Sequence, residues 1–153
     1  MSVILEVIAP RVLAPALAIG VALIVKGYAD VGDGFSAGVI VGLAVSLSYL
    51  TLGPERTERR FPLLRRAPAG VVAGLLLALA VAFFPVLADE PPLTHEPGPG
   101  EDVTRLGHLE LLTAVLFDVG VFLIVASGLV VLVHHLSSLV QAQEEGGAQE
   151  EGA

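Results

Sequence analysis

The sequence lacks cysteine altogether, and charged residues make up only 16% of its 153 positions. Without cysteine, neither a disulfide framework nor a thiolate metal site can form. The formal net charge of −8 leaves no basic surface to neutralise nucleic-acid phosphates. So few charges, with 54% hydrophobic residues and a mean hydropathy of +0.81, exclude a soluble domain. The composition therefore indicates an integral membrane protein.

Motifs typical of enzymes are also missing. The sequence contains no glycine-rich phosphate loop with a lysine, no HExxH motif and no nucleophile elbow. The adjacent His134 and His135 are a weak metal motif, because neighbouring helical residues point about 100° apart. Their expected role is to favour the negative end of a helix that terminates near them. We therefore expect no enzymatic activity, no cofactor and no metal site.

Four apolar stretches are long enough to cross a bilayer as helices. We predict an all-α integral membrane protein whose four spans cover about residues 3–26, 34–53, 67–88 and 109–133. Residues 1–137 would form the membrane domain, and residues 138–153 an acidic tail that is disordered from Glu144 onward. Pro15 would kink the first span or lie near its first turn, and Pro85 would break or kink the end of the third.

The orientation follows from arginines in the link between the second and third spans, which are Arg56, Arg59, Arg60, Arg65 and Arg66. Positively charged links remain in the cytoplasm, so both termini are expected inside, the N-in/C-in topology. The proline- and glycine-rich segment 89–107 then forms an exposed loop outside. A cleaved signal peptide is the competing interpretation of the first span, but Glu6 stands where such a signal carries positive charge.

Small residues recur at four-residue spacing, most clearly as Gly34, Gly38 and Gly42 in the second span. Such a row lets two helix backbones approach closely, which matters because lipid provides no hydrophobic drive between helices. The glycines are therefore predicted to form a packing face, and Gly120 of the fourth span is added to this set. The alternative is that glycine is simply frequent in membrane helices.

Asp118 is the main candidate for a functional residue, because it is the ionisable group inside the fourth span. An ionised carboxylate inside the bilayer costs at least about 2.5 kcal/mol on insertion scales. The residues three and four positions away are apolar, so a compensating partner must come from another helix. The carboxyl group would either lie on a proton or cation pathway or form an interhelical hydrogen bond that fixes packing.

The short link between the first two spans contains two further candidates, Asp30 and Asp33. Asp33 is suited to cap the second helix, and Lys26 to pair with Asp30 or Asp33 at the membrane interface. The link has two possible interpretations. The two aspartates and backbone carbonyls form a cation site, or the link is a plain turn with a helix cap. Glu110 and His108, at the mouth of the fourth span, would be an entry relay toward Asp118 or merely interfacial polar groups.

Two segments resemble a known family. Residues 27–38 read Gly-Tyr-Ala-Asp-Val-Gly-Asp-Gly-Phe-Ser-Ala-Gly, and residues 116–121 read Leu-Phe-Asp-Val-Gly-Val. They resemble the Gly-His-x-x-Pro-Gly-Gly-Gly-Phe-Gln-Gly-Gly turn and the Leu-Phe-Asp-Ile-Gly-Val segment of the MnhB/MrpB family, the B-type component of Mrp-type multi-subunit Na⁺/H⁺ antiporters. The first segment departs from the family pattern at Tyr28, Val31, Asp33 and Ser36.

This resemblance implies a subunit of a hetero-oligomeric complex that exchanges cytoplasmic Na⁺ for external H⁺ across a prokaryotic plasma membrane. Its implied partners are the large antiporter-like subunits of the A and D types and the small ones of the C, E, F and G types. The B-type component would support assembly and contribute to the cation or proton path. The alternatives are an ion-translocating subunit of a hydrogenase-type redox complex and a pure assembly module.

Overall fold

The computed structural model describes residues 3–26, 32–88, 91–92 and 107–151. Its five α-helices are α1 (Val3–Lys26), α2 (Asp33–Leu52), α3 (Pro54–Arg60), α4 (Ala67–Phe83) and α5 (Gly107–Glu151). Two 3₁₀ segments, Pro62–Arg66 and Phe84–Ala88, precede and follow α4. Within the described residues the chain is therefore all-helical.

Four helical stretches are long and apolar enough to cross a membrane: Glu6–Lys26, Asp33–Leu52, Pro62–Leu87 and Val115–Val140. This result confirms the all-α fold and the number of spans, counted over the part of the chain that the structure describes. The N-in/C-in topology and the division at residue 137 stay predictions.

Prolines affect the first and third spans differently. Pro15 lies inside α1, which continues to Lys26, so it is not a first-turn residue. Pro68 occupies the first turn of α4, where its missing N–H has no intrahelical partner to lose. The α-helix ends at Phe83, and Pro85 lies in the 3₁₀ segment that follows.

The last helix is longer than the sequence indicates. The fourth span was expected to end near residue 133, but α5 continues to Glu151, and the predicted disordered tail is not confirmed. Glutamine, glutamate and alanine beyond Val140 are strong helix formers and favour continuation of the helix, although Gly146 and Gly147 oppose it. The role proposed for His134 and His135 at a helix C-terminus is wrong, because both lie well inside α5.

The helices pack in the series α1, α2, α5, α4, so that α2 and α5 each have a neighbour on both sides. The core is formed largely by small and branched apolar side chains, among them Ala16, Val41, Ala44, Val45 and Val130. Large apolar side chains on α1 and α4 point outward, as Ile19 and Leu76 do. In a membrane, those outer faces would meet lipid or another protein.

The link between α2 and α4 folds back onto the end of α2. Gly53 has a φ of 78°, a left-handed conformation that glycine adopts without strain, and it turns the chain into α3. The hydroxyl of Thr57, which is fully buried, donates a hydrogen bond of 3.0 Å to the Ser48 carbonyl. The arginine-rich link is therefore fixed against the helices.

Candidate functional site

Asp118 of α5 is buried, and only 1% of the residue is exposed. Its Oδ2 atom has no hydrogen-bond partner in the part of the chain that the structure describes. Buried polar atoms are nearly always hydrogen-bonded, and an unpaired one costs about 1–3 kcal/mol. Asp118 is therefore a buried acid with one oxygen that lacks a hydrogen-bond partner among the described residues, and Asp33 Oδ2 lacks one as well.

The backbone of Asp118 lies against the first turn of α2. A Cβ atom added to Gly34 would come within 2.8 Å of the Asp118 Cα and carbonyl carbon. Since real Cβ atoms are not found that close to backbone atoms, only glycine permits this approach. Asp118 therefore lies level with the beginning of α2 and not with its middle.

The other two glycines of the row face the same helix farther along. An added Cβ at Gly38 would lie 2.8 Å from the Val125 Cβ, and one at Gly42 would lie 2.5 Å from the Leu129 Cδ1. The structure thus places all three glycines of the row between α2 and α5. Each provides room for the residue it faces.

Gly120 is on the opposite side of α5, facing α4. A Cβ there would lie 3.0 Å from both the Gly74 carbonyl oxygen and the Ala78 nitrogen. The reciprocal approach is as close, because a Cβ on Gly74 would lie 2.7 Å from the Gly120 carbonyl oxygen. Close backbone contacts on both sides therefore enclose the Asp118 region of α5.

Lys26 and Asp33 form an ion pair next to this region, with 3.6 Å between Nζ and Oδ2. Asp33 is the first residue of α2 and precedes Gly34, the residue that meets the Asp118 backbone. The expected capping role is wrong, because Gly32 occupies the cap position and no side-chain cap hydrogen bond forms. Asp33 is nevertheless an acidic residue in the first turn, where it favours the positive helix end.

The structure does not describe the side chains of three other predicted site residues. Asp30 lies outside the described residues. His108 and Glu110 lie in the first turn of α5, but their side chains also fall outside the described part of the chain. Where the chain is described, no group of three or more histidine, aspartate or glutamate residues could hold a metal ion.

A second polar cluster, centred on Glu58, lies at the arginine-rich end of the helices. His134 Nδ1 is 2.8 Å from Glu58 Oε1, and the Tyr49 hydroxyl donates to the same oxygen at 3.3 Å. Arg65 Nε donates to Glu58 Oε2 at 3.3 Å. These side chains, together with His135, line a cavity of about 250 Å³.

Sequence reasoning missed this Glu58 cluster, although each member is visible in the sequence. A glutamate within a run of arginines suggests local pairing, and Arg65 confirms part of that pattern. The contact with His134 depends on how the link folds under α2 and α5, which no local pattern indicates. The structure therefore has two polar regions, one at each end of the contact between α2 and α5.

Comparisons with known proteins agree with the resemblance found in residues 27–38 and 116–121. A family model described as "Domain related to MnhB subunit of Na+/H+ antiporter" matches residues 4–131. No solved structure gives a significant match.

Two similar proteins are each named as the B subunit of an Na⁺/H⁺ antiporter. The one from Alkalihalophilus pseudofirmus is 31% identical over 109 residues, which are 71% of this chain and 74% of the relative. The one from Bacillus subtilis is 34% identical over 103 residues, which are 67% of this chain and 70% of the relative. The chain therefore belongs to the family of domains related to the MnhB subunit of Na⁺/H⁺ antiporters.

Proposed function

We propose that this chain is a non-enzymatic membrane subunit of a multi-subunit antiporter that exchanges Na⁺ or another cation for H⁺. Asp118 is the group on this chain that takes part in the ion path, and the glycine row Gly34, Gly38 and Gly42 holds α2 against α5. Membership of the family supports the antiporter assignment, since the relatives are named as antiporter subunits. The protein acts in the plasma membrane with the other subunits of that complex.

The burial of Asp118 is the observation on which the ion-path proposal depends. An acid with 1% exposure and an oxygen without a partner gains from binding a proton or a cation, because a proton removes the buried charge and a cation compensates it. Ionisable groups inside membrane spans commonly mark ion pathways for this reason. The neighbouring pair of Lys26 and Asp33 adds fixed charges at the same end of α2.

The close helix contacts support the assembly part of the proposal. Lipid does not drive apolar helices together, so backbone contacts through glycine are an important source of helix association. The exposed apolar faces of α1 and α4 remain available to other subunits. The redox-complex alternative has no specific support in the described residues.

The test is Asp118→Asn in the fully assembled complex, with Na⁺-dependent proton exchange measured in membrane vesicles. Asparagine keeps the size of the side chain but neither ionises nor releases a proton. We expect exchange to fall by at least about tenfold, as for removal of a group needed for proton transfer. Copurification of the other subunits should remain normal.

Ser137→Ala is the matched control, because Ser137 also lies on α5 and has a buried oxygen without a partner. It tests whether the loss in Asp118→Asn reflects the acid or merely any buried polar group. Asp118→Glu, which retains an ionisable group, should recover part of the activity. Unchanged exchange in Asp118→Asn with an intact complex would show that Asp118 is not on the path.

A further inference from the structure

An apolar groove of about 670 Å³ lies between α1 and α4, on one side of the pair formed by α2 and α5. Its walls include Leu17 of α1, Val45 of α2, Ala73 of α4 and Ala126 of α5. Among the described residues that line it, only Arg60, Arg66 and Ser127 are polar. A groove with this lining favours an occupant that is apolar along most of its length.

Along the helix axes, the groove is about as long as one leaflet of a bilayer is thick. Along α5 its lining extends from residue 122 to residue 130, and along α4 from residue 67 to residue 73. At about 1.5 Å per residue, the longer of these distances is about 12 Å. Half of a hydrocarbon core of about 30 Å is about 15 Å. An occupant confined to one leaflet therefore fits.

The arginine-rich link closes one end of the groove. Phe61, Leu63 and Leu64 of that link contribute to the lining. A transmembrane helix of another subunit needs a path of about 30 Å across the whole core, and the link would block such a helix at this end. A lipid needs only the depth of its own leaflet, so the shape favours a lipid over a helix.

The charges at the closed end identify the class of lipid. Arg59 pairs with Glu55 at 3.4 Å and Arg65 pairs with Glu58 at 3.3 Å, so these two arginines are compensated. Arg60 and Arg66 line the groove, and no ion pair involves either of them in the described part of the chain. Basic groups at the end of an apolar groove between membrane helices are suited to anionic lipid headgroups.

We propose that this groove binds one phospholipid with an anionic headgroup. An acyl chain lies along the apolar walls, and the phosphate lies at the guanidinium groups of Arg60 and Arg66. The proposal depends on the shape and charge of the groove and is independent of the role of Asp118. The lipid would therefore be a structural component of the subunit, whichever ion the complex transports.

The absence of tryptophan makes a direct test possible. Phe61→Trp places a single fluorophore in the groove, and Leu50→Trp places one on the exposed surface near the same end of α2. Each full-length variant is reconstituted into phosphatidylcholine vesicles that contain a small fraction of brominated phosphatidylglycerol or brominated phosphatidylcholine. Bromine quenches the fluorophore only where that lipid is in contact with it.

We expect brominated phosphatidylglycerol to quench Phe61→Trp at roughly thirtyfold lower mole fraction than brominated phosphatidylcholine, as two arginines near a membrane surface predict. At Leu50→Trp the two lipids should quench alike. Adding Arg60→Gln and Arg66→Gln should remove the difference. Arg56→Gln is the matched control and should preserve it, because Arg56 lies in the same link but does not line the groove.

Equal quenching of Phe61→Trp by the two lipids would refute anionic selectivity, and no quenching by either would refute a lipid in the groove. The assembled complex provides a second measurement, by native mass spectrometry of retained phosphatidylglycerol. We expect one bound lipid to be lost with Arg60→Gln and Arg66→Gln together and kept with Arg56→Gln. An unchanged lipid count would overturn the proposal, because the retained lipid would then not depend on Arg60 and Arg66.

Discussion

The two ends of the contact between α2 and α5 are held together by different means. At the Asp118 end, Gly34 lets the backbones of α2 and α5 touch, and Gly74 and Gly120 do the same for α4 and α5. At the arginine end, Glu58 of the link accepts a hydrogen bond from Tyr49 of α2, lies 2.8 Å from His134 Nδ1 of α5, and pairs with Arg65 within the link. Contact between two backbones requires residues without a side chain at the crossing point. The Glu58 contacts instead require particular polar side chains.

This difference determines how each end should respond to substitution. A contact between backbones cannot move aside for an added methyl group, so the two helices must separate. A polar side chain that loses one partner can turn toward water or toward another partner, particularly near the membrane surface. The Asp118 end should therefore be the less tolerant of the two.

The largest effect is expected for Gly34→Ala. The added Cβ would lie 2.8 Å from backbone atoms of Asp118, and separating α2 from α5 should cost about 3 kcal/mol, the upper part of the overpacking range. The measurement is the free energy of unfolding in detergent micelles, followed by circular dichroism.

Gly128→Ala is the control for that change, because a Cβ added to this glycine of α5 has no atom within 4 Å. It should be neutral or stabilise the helix by about 0.5–1 kcal/mol. Similar losses of stability in the two variants would mean that helix propensity, and not backbone contact, governs the Asp118 end.

A smaller effect is expected at the arginine end for Glu58→Gln. Glutamine retains an acceptor oxygen but loses the charge that strengthens the bonds to His134 and Arg65, and the expected cost is about 1 kcal/mol. The unfolding assay that compares the glycine variants measures this cost.

Glu55→Gln is the matched control at this end. Glu55 pairs with Arg59, but both side chains are about four-fifths exposed, and exposed ion pairs contribute little. The free energy of unfolding of Glu55→Gln should match that of the unmodified chain. A larger loss for Glu55→Gln than for Glu58→Gln would show that the Glu58 cluster does not hold the link.

The smallest effect is expected for Lys26→Gln at the Asp118 end. Lys26 is 66% exposed, its distance to Asp33 is 3.6 Å, and screened pairs of this kind contribute about 0–1 kcal/mol. Lys26→Arg should restore any loss, because it keeps the positive charge. A loss as large as that of Gly34→Ala would reverse the comparison and make charge, not backbone contact, the main stabilising factor there.

The length of the apolar stretches was enough to predict four helices, because a segment that crosses a bilayer must form its backbone hydrogen bonds within itself. The far end of α5 could not be predicted in this way, since hydropathy falls after Val140 although the glutamates and glutamines there still form a helix. The break at Pro85 was predictable because proline restricts its own backbone locally.

The candidate site was only partly visible in the sequence. Asp118 stands out because a single acid in an apolar segment is conspicuous in any membrane helix. Its position beside Gly34 depends on the relative register of α2 and α5, which neither helix specifies alone. The same is true of Glu58 and His134, which meet only after the link has folded under two helices.

The length of α5 has a mechanical consequence. From Asp118 to Glu151 the helix is continuous, a rod of about 50 Å at about 1.5 Å per residue. A displacement of α5 at Val140, where the apolar span ends, would pass toward Asp118 along about 33 Å of helix, whereas the Gly146-Gly147 pair is where the more distal part bends most readily. One helix therefore joins the buried acid to residues beyond the apolar span.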